Sequence, residues 1–306
     1  MQLTAGELTE ILSGQLRLGE MPPLAGDLEL IQRICVPHYT VEPGDVVFLG
    51  RGLQPTSESE RLQAHEAFAH GALGIVSSFP IEPWAGRFSI QVPHAGAALW
   101  ELAAWNRQQL CGKTIVIIGN ALPAQMVHQA IKGLGLSAEL YECHHPVETT
   151  VPLALAKTDP QKTVVLSWNC HECESNMQLI SLCRCDSVLL HTPNQESEKK
   201  LTHDDILTLA QQTNVVISLP QSTTHVFDST LRANVTTAGP SNHFDVYPSA
   251  VNEQPNGIRM LVGSQPFHLR NQQLTSVDDA VAAIAILRSL GFDLQQISSS
   301  WDKASQ

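Results

Sequence analysis

The sequence predicts an α/β protein: a small N-terminal α/β domain over residues 1–110, then a doubly wound, mostly parallel-sheet domain over 111–306 with flanking antiparallel strands. Three observations carry this reading. The β-branched run from Thr114 to Ile118 stops at Gly119, a short turn follows, and Pro123 stands where the first turn of a helix tolerates it, which is a strand, a tight turn and a helix. From Ala138 to Leu219 strand-like and helix-like segments alternate, as parallel sheets require. Between Val226 and Leu269 the helical period vanishes. Alternating segments punctuated by Pro240, Pro248, Pro255 and the hairpin signal Asn256-Gly257 replace it, and they read as antiparallel strands.

Taken in order, Leu3, Leu8, Ile11 and Leu12 recur near helical spacing and Gly14 ends that helix. Residues 28–49 read as short strands, with Val41-Glu42-Pro43-Gly44-Asp45 as the turn before Val46 to Leu49. Residues 52–60 read as polar loop, Arg61 to His70 as helix, Leu73 to Val76 and Ser89 to Val92 as buried strands, and Ala95 to Gln109 as helix. The repeating unit then gives strands over 138–143, 163–169, 187–191 and 214–219 and helices over 147–157, 174–183 and 202–212. A last helix opens at Ser276-Val277-Asp278-Asp279 and runs to Leu290 with Gly291 behind it.

The chain has 306 residues, enough for two cores, and a formal charge of −12 from 30 acidic against 18 basic side chains. With no basic run longer than Lys199-Lys200, nucleic acid and anionic membrane are poor partners. Neither a signal peptide nor a membrane span is expected, so the protein is read as cytoplasmic, with its 7 cysteines mostly as thiols.

In α/β proteins a phosphate usually sits at the join after the first strand, on the unpaired N–H groups of the helix N-terminus. Here that join is Gly119-Asn120-Ala121-Leu122-Pro123-Ala124, with no Lys to reach terminal phosphates and no hydroxyl for magnesium. Gly119, Asn120, Ala121 and Leu122 are therefore the candidate cofactor loop, in degenerate form. Read as a damaged Gly-x-Gly-x-x-Gly with Glu142 ending the next strand, the same loop allows a dinucleotide such as NAD as an alternative. Cys170 and Cys173 have the spacing of a zinc half-site that Cys143, His144 or His191 would complete, against the plainer reading of buried thiols and polar loop histidines. Asp204-Asp205 and Asp278-Asp279 occupy first helical turns, where the helix dipole suffices to explain them. Trp100 and Trp105 read as core, while Trp84 and Trp301 fall in loop or tail, open to a partner.

The order of elements and several phrases resemble the Mur ligases, ATP-dependent amide-bond-forming enzymes of peptidoglycan precursor synthesis, and among them the D-alanyl-D-alanine-adding branch. The phrases are Met1-Gln2-Leu3-Thr4 through Leu12-Ser13-Gly14, Val41 to Leu49, Ala67 to Val76, the helix Ala97 to Arg107, Val151-Pro152-Leu153-Ala154-Leu155, and Ala280 to Gly291. The resemblance covers the family's first two domains, of UDP-sugar-binding and ATP-binding type, and implies that the C-terminal ligase domain is absent. It also implies an ATP and magnesium site whose functional residues have departed. The UDP-sugar grip Asp-Ser-Arg falls at Pro37-His38-Tyr39, and the P-loop lysine and hydroxyl fall within Ile118 to Gln125. The magnesium-binding Glu falls at Leu166 to Trp168, the Asn-Ile-x-x-x-His segment at Leu190 to Asn194, and Gly-x-His-Asn at Leu274 to Val277. Loss of the lysine, the metal ligands and the closing domain removes the electrostatic stabilisation that phosphoryl transfer needs. The expectation is a catalytically inactive protein with no cofactor, binding a peptidoglycan precursor or another Mur enzyme. The alternatives are a ligase completed by a separate chain, or a zinc- or dinucleotide-binding protein.

Overall fold

The computed structural model describes residues 3–20, 26–37, 39–49, 56–169, 176–191, 203–218, 234–254, 257–270 and 276–304. They form two compact units, residues 1–109 with 151–160, and residues 110–150 with 161–306. Residues 151–160, read from sequence as part of the second domain, count with the first unit.

In the first unit β1 (Leu3–Thr4) leads into α1 (Ala5–Ile11), capped reciprocally: the Glu7 N–H donates to Thr4 Oγ1 at 3.1 Å and the Thr4 N–H to Glu7 Oε2 at 2.8 Å. There follow β2 (Gln15–Leu18), a 3₁₀ turn at Gly26–Leu28, β3 (Leu30–Ile31), β4 (Arg33–Cys35), β5 (Asp45–Phe48), α2 (Ser57–Ala69), β6 (Gly74–Ser77), β7 (Phe88–Gln91) and α3 (Ala95–Gln109). The sheet order is β2-β7-β6-β5-β4, antiparallel only between β2 and β7. Helix α2 starts four residues before the sequence expectation, because the polar run Ser57 to Glu60 is a first turn capped by Thr56 rather than a loop. Its Glu60 is buried and accepts from Ser77 Oγ and from the Ser78 N–H. Cys35, Val47, Leu49, Ala67, Phe68 and Ile75 form the core between α2 and the sheet. At the other end of the sheet, buried Asp45 accepts from Arg33 Nε at 2.5 Å and Arg33 Nη2 at 2.8 Å, which anchors β4 to β5. Trp100 and Trp105 on α3 are half-buried rather than core, since Leu99, Leu102, Ala103 and Asn106 take the inner face. Asn106 Nδ2 instead donates to the carbonyls of Leu155 and Thr158, at 2.7 and 2.9 Å, holding the end of α5 (Val147–Lys157).

The second unit contains β8 (Thr114–Gly119), α4 (Leu122–Gly133), β9 (Ala138–Cys143), β10 (Thr163–Trp168), α6 (Asn176–Cys183), β11 (Ser187–His191), α7 (His203–Ala210), β12 (Asn214–Ser218) and β13 (Val235–Ala238). Their sheet is parallel throughout, in the order β13-β12-β11-β8-β10-β9. β13 lies in the region expected to be antiparallel, yet Val235-Thr236-Thr237 extends the parallel edge. Among the described residues of this unit, antiparallel pairing is confined to β14 (Pro248–Gln254), β15 (Gly257–Val262) and β16 (Gln265–Arg270). Gln254 pairs with Gly257, and the hairpin residues 255 and 256 lie outside the described residues. Two helices close the chain, α8 (Val277–Ser289) and α9 (Leu294–Ala304).

The central strands are buried on both faces. Ile115, Ile117, Val165, Leu189 and Val216 pack with Val127 and Ile131 of α4, the whole run Ala280 to Leu287 of α8, and Ile297 and Trp301 of α9. Helix α9 is absent from the sequence expectation. Ile297 and Trp301, one turn apart, bury against this core, and Trp301 Nε1 donates to the Met126 carbonyl at 3.1 Å, so Trp301 serves its own chain rather than a partner. Among the described residues no helix is long and apolar enough to cross a membrane.

Candidate functional site

In parallel sheets ligands collect outside the carboxyl ends of the strands, where the chain order reverses. Counted along the chain, the second unit's sheet reads 2-3-1-4-5-6, so that reversal lies between β8 and β11, at Gly119 and His191. The order differs from the 3-2-1-4-5-6 of dinucleotide folds: β10 stands between β8 and β9, and Glu142 accepts from Gln125 Nε2 at 2.7 Å.

Gly119 pairs with His191 and has φ +133°, and a Cβ there would lie 1.9 Å from the His191 carbonyl oxygen. Only glycine fits this lip. The loop that follows is partly satisfied from within. Asn120 Oδ1 accepts from the Leu122 N–H at 3.2 Å, Pro123 has no N–H to offer, and the Gln125 N–H already donates to the Ala121 carbonyl. The start of α4 thus has two donors fewer, at Leu122 and Pro123, than a helix N-terminus that holds an anion at such a join.

Asn120 Nδ2 donates to Asp279 Oδ1 at 3.3 Å, and His191 Nε2 donates to the same oxygen at 2.9 Å. Both His191 and Asp279 are buried, at 2% and 3% exposure. Asp279 Oδ2 accepts from Ser276 Oγ at 2.7 Å and from the Ser276 N–H at 3.2 Å, completing a capping box at the start of α8. Burial pushes the Asp279 carboxyl up, but the hydrogen bonds from His191 and Ser276 outweigh it and hold the group below the usual carboxylate range. The neighbouring Asp278 is pushed up by burial, against the opposing pull of His191. His191 Nδ1, on the far side of the ring from this contact, is buried with no hydrogen-bond partner among the described residues.

The loop residues Gly119, Asn120, Ala121 and Leu122 and His191 therefore stand together at one place. Cys143 ends β9, with β10 and β8 between it and β11. Its thiol points at the Tyr141 carbonyl, and burial pushes its pKa up to about 12. Cys170 and Cys173 lie outside the described residues, among which no group of three metal-ligating side chains gathers. At the expected magnesium position, Trp168 Nε1 donates to Asn176 Oδ1 at 2.9 Å. Asp279 is the residue that sequence reasoning missed. Its capping role was legible in Ser276-x-x-Asp279, but its contact with a histidine 88 residues away was not.

No family model and no curated protein matches the chain. Among solved structures it is similar to the UDP-N-acetylmuramoylalanyl-D-glutamyl-2,6-diaminopimelate–D-alanyl-D-alanyl ligase of Acinetobacter baumannii, at TM-score 0.72 and 17% identity, over 98% of this chain and 68% of that one. It is also similar to the MurF ligase of Thermotoga maritima solved in complex with ADP, at TM-score 0.62 and 15% identity, over 88% of this chain and 66% of that one. At such identities the likeness is one of fold, and the chain has the Mur-ligase fold over about two-thirds of the length of MurF.

Proposed function

We propose that this chain is a catalytically inactive Mur-ligase-like protein that acts in the cytoplasm in a binding or regulatory role linked to peptidoglycan precursor synthesis. One observation carries the proposal: the loop after β8 is closed by Asn120 onto the carboxylate of Asp279. Phosphoryl transfer depends on positive charge and free donors around the phosphates. Here a carboxylate held ionised stands beside the loop, and the loop sequence supplies no lysine. The fold likeness supports the link to Mur chemistry, and the closed loop supports the loss of turnover.

The experiment is an ATPase and amide-ligation assay with magnesium, UDP-muramoyl-tripeptide and D-alanyl-D-alanine. The expected result is no phosphate release above the protein-free background. Precursor-dependent release of phosphate overturns the proposal.

A further inference from the structure

The first unit holds a cavity of about 190 Å³ between α2, β5 and the loop after β4. Its floor is apolar, formed by Val47 and Leu49 of β5, and Tyr39 stands at its rim with Lys157 Nζ 5.6 Å from the ring centroid. Three polar side chains of α2 line it: Gln63, Glu66 and His70. Glu66 and His70 each offer an acceptor, and Gln63 does so once its amide turns. His70 Nδ1 lies 2.7 Å from the Glu66 carbonyl oxygen, which can only accept, so the proton is on Nδ1 and Nε2 of the neutral ring keeps a lone pair. Gln63 Oε1 is shut off from solvent with no donor among the described residues, a state that buried amide oxygens rarely keep. Glu66 brings the one formal charge among the described lining residues, and no described lysine or arginine is among them.

An acceptor-rich wall with a single carboxylate, over an apolar floor, selects a ligand that donates hydrogen bonds, carries positive charge and has a short hydrocarbon body. The space is ample for a compound of a few non-hydrogen atoms. We propose that this cavity binds a small alkylammonium compound, its ammonium held by Glu66 and, after rotation of the side-chain amide, by the Gln63 carbonyl, with its alkyl chain on Val47 and Leu49. The Mur resemblance places an anion grip at Pro37 to Tyr39 in this same loop, and the cavity walls here suit the opposite charge. The inference is independent of whether the second unit binds nucleotide.

The test is a titration of the full chain with n-butylammonium chloride, followed through the backbone amide signals of Thr40, Gln63 and His70, with n-butanol and sodium butyrate as probes of matched size. Saturable shifts with n-butylammonium, at least tenfold weaker binding of butyrate and butanol, and a three- to tenfold loss in Glu66→Gln are expected. Gln63→Leu removes the orphaned carbonyl and is expected to weaken binding while leaving the melting temperature unchanged or raised, which separates loss of the site from loss of the fold. Equal affinity for the three probes, no saturable shift with n-butylammonium, or unchanged binding in Glu66→Gln overturns the proposal, and the cavity then holds water only.

Discussion

Asp279 Oδ1 accepts the Nε2 proton of His191 at 2.9 Å, joining the start of α8 to the end of β11 inside the protein. Removing Asp279 leaves His191 buried without this acceptor, and removing His191 takes from Asp279 a donor that Asn120 and Ser276 replace only in part. His191→Ala is expected to destabilise by about 1.5–3 kcal/mol, and Asp279→Ala by about 2–4 kcal/mol because the helix cap is lost as well. Urea unfolding of the two single variants and the double variant checks this, with a coupling of about 0.5–3 kcal/mol expected from the cycle and additivity counting against the contact.

The same carboxyl sets a pH dependence. Asp279 is held below its ordinary value by its hydrogen bonds, so its contribution is complete above the unfolded carboxyl value of about 3.9 and is lost as pH falls through the folded value. The gap in melting temperature between the native chain and Asp279→Asn is therefore expected to shrink as pH falls below about 4. Melting scans across that range read it directly.

Burial pushes the thiols of Cys35 and Cys143 up to about 12, whereas Cys111 is exposed. Thiolate is the reactive species, so iodoacetamide at pH 8 is expected to label Cys111 while Cys35 and Cys143 stay unmodified until the chain is denatured. Peptide mass spectrometry before and after denaturation gives the comparison.

Trp301 packs edge-on against Phe267, with ring centroids 5.5 Å apart, and donates to the Met126 carbonyl. Trp301→Ala is expected to cost about 3–5 kcal/mol, and the partly exposed Trp84 much less on the same change. Denaturant midpoints of the two variants check the ranking.

The alternation of β-branched runs and amphipathic segments made the second unit's sheet and helices legible, from Thr114 to Ser218, since buried parallel strands and covering helices leave strong periodic signals. Three elements escaped for identifiable reasons. The first turn of α2 is as polar as a loop, because Ser57, Glu58 and Ser59 cap and face outward while the buried Glu60 is satisfied by Ser77 and Ser78. β13 is four residues long and sits where prolines point to turns. α9 carries its apolar contacts on Ile297 and Trp301 within a run of serines and glutamines, a stripe too narrow to stand out by composition. At the site the sequence located Gly119 to Leu122 and His191 at strand ends, since strand ends follow from the pattern. It could not pair His191 with Asp279 or seat Asn120 on that carboxylate, because side-chain contacts between elements far apart in the chain leave no periodic trace.

The closed loop after β8 is the central claim, and nucleotide binding tests it most directly. A ligand at 100 times its Kd stabilises a protein by about 2.7 kcal/mol, equivalent to about 5 °C or more for a domain of this size. Melting scans with millimolar ATP or ADP and magnesium are expected to coincide with the scan in buffer alone. A saturable, magnesium-dependent rise in melting temperature, abolished by Gly119→Val, would contradict the account.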